Sequence, residues 1–236
     1  MSWQDEVRVT QEIIEWFAKD KKDVYFIQIG CCDGVVGDCL HDLIIRYQWR
    51  GILIEPVKYL FEKLRANYEG CDQLIFCNVA ISSEDGSKDF WYLRKNDDGL
   101  PVWYDQLGSF FPDVVLKHEK EIPNIRDYLV SEKIACVSFN SLVEKYNIKQ
   151  VDIVQIDTEG YDFEILKQVD FEKFRPSIVI YEHKHLSQED KEASQEFLRG
   201  FGYKVIYDST DSIGLMGDFV DGSLMEHIKN SHLFVV

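Results

Sequence analysis

The stretch Val24 to Asp38, VYFIQIGCCDGVVGD, decides how the rest of the chain is read. Its first half is apolar on both faces, as a central strand of a parallel sheet requires. It stops on Gly30 and enters a loop holding Asp33, Gly34 and Asp38, with a helix expected to follow. Glycine there tolerates positive φ and brings backbone close to a neighbour, and a helix N-terminus behind it would offer free N–H groups. The spacing is GxxxG rather than the GxGxxG of dinucleotide sites, so this loop alone fits a plain turn as well as a ligand contact.

Working outward, helix and strand patterns alternate almost from end to end. A leading helix carries Val9, Ile13, Trp16 and Phe17 on one face. Strands are predicted at 23–29, 51–55, 74–79, 151–156, 177–181, 204–207 and 213–216. Helices fall at 40–47, 57–68, 141–146, 162–168 and 188–201, the last opening on Ser187 and Asp190 spaced like a capping box. Residues 87–93 read as an edge strand after the Asp85–Gly86 turn, and 135–139 as a strand resuming the α/β pattern. Between them, 94–132 is rich in Gly, Pro, Asp and aromatics without a sustained period. The expectation is one α/β domain over 1–236, a mostly parallel sheet of seven strands with helices on both faces, an inserted segment at 94–132 and a C-terminal extension at 217–236.

The composition narrows the partners. With 42 acidic against 26 basic residues the formal net charge is −16, so a partner held by its phosphates is not expected, nucleic acid included. No apolar run is long enough to span a bilayer, and the N-terminal residues do not read as a signal peptide. The six cysteines lack metal-ribbon spacing. Reduced thiols in a cytoplasmic protein are the expectation.

In open α/β sheets ligands bind beyond the carboxyl ends of the strands, which filters the candidates. After the first strand come Gly30, Cys31, Cys32, Asp33 and Gly34. The second ends at Glu55–Pro56, where an acid suits both hydroxyls of a ribose; the alternative is a carboxylate stabilised by a helix N-terminus. The third ends in Asn78, Val79 and Ala80, either a purine-edge reader or an ordinary turn. The fourth runs into DTEGYD, placing Asp157, Glu159 and Asp162 around Gly160. Their mutual repulsion calls for a sulfonium, a metal ion or a helix terminus nearby. The fifth exits into Glu182, His183, Lys184 and His185. Period-two geometry would aim both histidines one way, for proton transfer or metal ligation, unless they are plain loop residues.

The segments FIQIGCCDGVVGD, WRGILIEPVKYLFEKLRANY, FCNVAIS and VQIDTEGYDFEIL, in this order and spacing, resemble the FkbM-type S-adenosylmethionine-dependent methyltransferases, in the branch whose first motif reads IGxxDG. The closing GYKVIYDSTDSIGLM is similar to that branch too, so the likeness runs from Val24 to Met216. It implies a Rossmann-like fold and O-methylation of a sugar, glycan or natural-product hydroxyl. By position, Gly30, Cys31, Asp33 and Gly34 would surround the methionine part of the cofactor. Glu55 and Pro56 would face the ribose, Asn78, Val79 and Ala80 the adenine, and Asp157 the transferable methyl. Many members carry Asp where this chain has Gln28. Asp157, Glu159 or His183 is expected to be the base, with His183 preferred for its ordinary pKa. No metal site is assigned; a divalent ion on Asp157, Glu159 and His183 is the lesser alternative. A nicotinamide-dependent oxidoreductase and a non-catalytic assembly protein are the rival readings, and the 94–132 segment is read as an acceptor lid carrying Trp103, Tyr104, Phe110 and Phe111. His118 on it is within possible reach of the site.

Overall fold

The computed structural model describes residues 3–235 apart from 20, 22, 96–98 and 232. Helix α1 (Trp3–Ala18) buries Val9, Ile13, Ile14 and Phe17 on one stripe. The chain then forms β1 (Tyr25–Ile29), α2 (His41–Tyr47), β2 (Arg50–Ile54), α3 (Lys58–Asn67) and β3 (Leu74–Cys77). It leaves the main sheet for β4 (Ala80–Ile81), β5 (Gly86–Leu93), β6 (Gly108–Ser109), α4 (Pro112–Leu116), α5 (Ile125–Tyr128) and β7 (Leu129–Val137). It returns through α6 (Phe139–Lys145), β8 (Ile153–Ile156), α7 (Asp162–Leu166), β9 (Ile178–Glu182), α8 (Gln188–Gly200), β10 (Lys204–Tyr207) and β11 (Asp211–Leu215), and closes with α9 (Gly222–Lys229) and β12 (Phe234–Val235).

The main sheet has the order β12-β10-β11-β9-β8-β1-β2-β3. Strands β3, β2, β1, β8 and β9 pair in parallel, and β11 runs against β9 and β10. This is the expected mostly parallel seven-stranded sheet, with the two-residue β12 added at one edge. The central strands are buried on both faces: Phe26 packs into one apolar layer, with α1, α2 and α9, while Ile27 and Ile29 pack into the other, with α6, α7 and α8. Fully burying one such side chain contributes roughly 1.5–3 kcal/mol, and this pattern is what makes the strands legible in sequence. From β1 the chain builds one half outward through β2 and β3, then crosses to β8 on the other side, so the order reverses between β1 and β8.

Two strands depart from expectation. Residues 87–93 and 135–139 were predicted as an edge strand and a returning α/β strand. Instead β5 and β7 pair antiparallel along their length in a separate sheet of order β4-β7-β5-β6. The reason is their one-sided burial: Phe90, Tyr92, Ile134 and Cys136 are covered while Lys133 and Ala135 are exposed. That face packs on Val57 and Leu60 at the start of α3. The 94–132 segment, aperiodic in sequence, folds around its own small core of Leu93, Leu107, Val115, Ile122 and Ile125, against which Trp103 and Tyr104 pack.

Candidate active site

A crevice opens at the switch point. It is lined by Ile29, Gly30 and Cys32 after β1, by Glu55, Pro56 and Val57 after β2, and by Val79, Ala80 and Ile81 after β3. Asp157 and Thr158 enter after β8, and Phe90, Asp105, Gln106, Gly108 and Phe110 come from the second sheet and its loops. Among the described residues its ionisable lining is Cys32, Glu55, Asp105 and Asp157, without a lysine or arginine.

Glu55 is the fixed point. Its side chain is buried, with Oε2 accepting the N–H of Cys32 at 2.8 Å and Oε1 the N–H of Val57 at 2.7 Å. Burial pushes its pKa up to about 8, more than those two N–H donors pull it down. Asn78 does not line the crevice. Its amide donates to the carbonyls of Glu55 at 2.8 Å and Pro56 at 2.9 Å, which holds the β2 exit in place. Cys32 sits at φ 48° and turns its N–H onto Glu55; burial first, and then the charge of Glu55, raise its thiol well above the usual range.

The loop after β1 serves partly different ends from those expected. No helix starts behind Gly30; the chain turns for ten residues before α2 opens at His41. Gly30 has φ 82°, and a Cβ on it would stand 1.7 Å from the carbonyl oxygen of Asp157. The glycine is therefore demanded by the neighbouring loop, besides lining the crevice. Gly34 faces Leu64 and Tyr68 instead of the crevice. Asp33 accepts the N–H groups of Val35 and Val36, both at 3.0 Å, closing its own turn. The Cys31 thiol is buried, donating to the Gln28 carbonyl and accepting from the Ile54 N–H. Gln28, where an acid was noted as common, donates to Asp38 at 3.0 Å.

Asp157 stands open to solvent at the crevice while protein surrounds it on most sides. That enclosure, and then the charges of Glu159, Asp162 and Asp211, push its carboxyl well above the usual range. Asp162 closes the turn, accepting from the Thr158 hydroxyl and the Gly160 N–H at 3.1 Å each. Burial lifts its pKa to about 7. Glu159 adopts φ 53°, a left-handed conformation uncommon outside glycine. Its carbonyl accepts the Ser109 hydroxyl at 2.7 Å, tying the insert to this turn. Gln106 makes a second tie, donating to the Val36 carbonyl at 2.7 Å, and Lys63 with Asp105 a third at 2.8 Å.

His183 is a correction. Strand β9 ends at Glu182 and the chain turns, with the N–H of Leu186 bonding the His183 carbonyl. Period-two geometry stops there, and the two histidines part. The His183 ring is buried against Tyr207 with Nδ1 2.9 Å from the Ser212 hydroxyl, and burial pushes its pKa down to about 4. It does not reach the crevice, so the preferred base and the Asp157–Glu159–His183 ion set both fail on geometry. His185 instead places Nε2 3.0 Å from Glu159 and 3.7 Å from Glu182.

The reversal of strand order, the acid at the end of β2 and the acidic crevice define a Rossmann-like class I fold, that of the S-adenosylmethionine-dependent methyltransferases. Residues 28–205 match the methyltransferase FkbM domain, and the chain belongs to the FkbM methyltransferase family. A methyltransferase FkbM from Methylobacillus flagellatus KT superposes with a TM-score of 0.51 at 11% identity, covering 83% of this chain and 44% of that one. The chain thus spans less than half of that protein's length. The N-terminal domain of human METTL16 in complex with SAH gives 0.45 at 12% identity, over 89% of this chain and 68% of that one. The Methanococcus jannaschii fibrillarin pre-rRNA processing protein gives 0.44 at 13%, over 83% and 67%. At 11% identity the likeness to the Methylobacillus protein is one of fold. Comparison with curated proteins gives no match.

Several crevice residues carried no sequence signal. Asp105, Gln106 and Gly108 arrive from an aperiodic segment whose path only the fold discloses, whereas Phe110 of that segment, read as a lid aromatic, does line the crevice. Cys32, Phe90 and Thr158 could have been found as neighbours of Gly30, the β5 pattern and Asp157.

Proposed function

We propose that the protein transfers a methyl group from S-adenosylmethionine to a hydroxyl of a sugar, glycan or natural-product acceptor. The observation that carries this reading is the Glu55 carboxylate: each oxygen holds one N–H and keeps a lone pair free, the arrangement that two adjacent ribose hydroxyls need. The flanking Val79, Ala80 and Ile81 suit the flat face of adenine, and a crevice whose charges are acidic suits a sulfonium better than a pyrophosphate. The lack of a helix N-terminus at Gly30 speaks the same way against a dinucleotide.

Bound there, S-adenosylmethionine supplies an electrophilic methyl carbon. The chain's residues hold the donor, orient the acceptor and remove its proton. Positioning of this kind contributes about 7–11 kcal/mol, and a well-placed base about 10²–10⁴-fold. Asp157, which lines the crevice, takes the proton from the acceptor hydroxyl. Phe110 and Phe111 pack on Tyr161 with centroids 5.0 and 6.2 Å away, and half-exposed Phe111 offers a face for a sugar ring at the edge of the insert. Segment 94–132 acts as the acceptor lid. All six thiols are unpaired, which supports a reducing, cytoplasmic setting. Among the described residues no helix is long and apolar enough to cross a membrane.

The test is incubation with isotope-labelled methyl donor and a library of hydroxylated acceptors, followed by mass spectrometry. Label in an alkali-stable methyl ether supports the reading. Label on nitrogen, in an alkali-labile ester, or on nothing at all despite cofactor binding, contradicts it.

A further inference from the structure

A second group of side chains lies beside the crevice and is not used by the reading above. His118, in the short 3-10 turn Lys117–Lys120 of the insert, Glu159, in the turn after β8, and His185, after β9, bring their ligand atoms within 4.8 Å of one another. The side chain of His185 is 6% exposed and that of Glu159 12%. Nε2 of His118, Nε2 of His185 and Oε2 of Glu159 are all buried without a hydrogen-bond partner. His185 Nε2 and Glu159 Oε2 approach to 3.0 Å, an ion-pair distance, without forming a hydrogen bond. Glu182 adds a further unpartnered buried oxygen at the rim, its other oxygen 3.7 Å from His185. Leaving several buried polar atoms unpaired in one spot is costly unless something fills the space between them.

We infer that His118, His185 and Glu159 form a binding site for a divalent first-row transition ion, with Glu182 beside them as a fourth ligand or as an acceptor for ion-bound water. Two imidazoles and a carboxylate suit zinc, iron, cobalt or nickel and are a poor set for magnesium or calcium, which take oxygen ligands. Ligand atoms about 2.1 Å from a tetrahedral ion stand about 3.4 Å apart, so a set lying within 4.8 Å closes with side-chain shifts of up to about an ångström. Its three segments are far apart in sequence, so the ion would pin the insert to the sheet edge. Three protein ligands leave a position open for an oxygen ligand. The inference rests on this geometry and not on the identity of the acceptor.

The experiment is titration of the chelator-stripped, reduced chain with Zn²⁺ and with Co²⁺, followed by calorimetry, visible absorption and thermal unfolding. One ion per chain is expected, with cobalt d–d bands lacking the intense thiolate charge-transfer band that a cysteine site would add, and a higher unfolding temperature in zinc. His118→Ala and His185→Ala should each weaken binding more than tenfold and remove the zinc-dependent stabilisation. Glu159→Gln, close in size, should do the same if an alanine variant fails to fold. His227→Asn, a histidine paired with Glu12 elsewhere, should bind as the parent does. Unchanged affinity in folded His185→Ala and Glu159→Gln, a thiolate-type cobalt spectrum, or binding of Mg²⁺ without Zn²⁺ overturns the inference.

Discussion

Glu55 accepts the backbone N–H of Cys32 at 2.8 Å across an interval of 23 residues. With the bonds of Gly30 and Cys31 to Ile54, this bond joins the loop after β1 to the end of β2, and it sets the direction of the carboxylate. The other oxygen is fixed by Val57 N–H, so the group is oriented before any ligand arrives. Such pre-organisation lowers the ordering cost of binding.

Glu55→Ala should therefore weaken S-adenosylhomocysteine binding. Measured above about pH 8, where Glu55 is ionised, hydrogen bonds to the charged group contribute about 1.5–3 kcal/mol, or roughly 10–100-fold in affinity. Calorimetric titration measures it directly, and a loss under threefold would take the ribose role away from this residue.

The raised pKa of Glu55, about 8, has a definite sign. Between the ordinary carboxylate value and about 8 the folded state holds a proton that the unfolded state has released, so stability falls as pH rises through that window. The penalty is absent below the ordinary value and complete above about 8, and it amounts to a few kcal/mol at about 1.4 kcal/mol per unit. Denaturant unfolding of the parent and of Glu55→Gln across pH 5–9 should show a difference between them that shrinks toward acid and grows toward alkali. A constant difference would contradict the burial argument.

Gly30→Ala joins two faults, a Cβ overlapping the Asp157 carbonyl and a φ of 82° that disfavours side chains. Left-handed strain alone costs of order 1–3 kcal/mol, and the overlap adds to it by forcing β1 and β8 loops apart. The expected result is a loss of more than about 3 kcal/mol or failure to fold. Gly70→Ala, at φ 85° but with nothing near its added Cβ, should cost only the strain. Equal losses in the two variants would show that the overlap is absorbed.

Ser109→Ala removes a buried hydroxyl that donates to Glu159 and accepts from the Phe111 N–H. About 1–3 kcal/mol of stability should go with it. Because the bond ties the 94–132 segment to the turn bearing Asp157 and Glu159, turnover should fall further than S-adenosylhomocysteine affinity. A fall in both by the same factor would place Ser109 in the general scaffold.

The site residues legible in this sequence share one property: they lie at or just after the ends of the parallel strands of the main sheet. Gly30, Glu55, Val79, Ala80 and Asp157 were found that way, and all five line the crevice. Residue type misled where a polar group serves the backbone. Asp33 and Asn78 look like ligand contacts in sequence, yet they close a turn and brace a strand exit. His183 was misplaced because the alternation of side chains along a strand lapses where the strand ends, at Glu182. Gln106 reaches the crevice along a segment with no period at all, which only tertiary packing positions.

The most direct measurement of the central claim is a crystal structure of the chain with S-adenosylhomocysteine. Both ribose hydroxyls should meet the Glu55 carboxylate, with the adenine between the β2 and β3 exits. A coenzyme lodged elsewhere, or a ribose turned away from Glu55, would contradict the account.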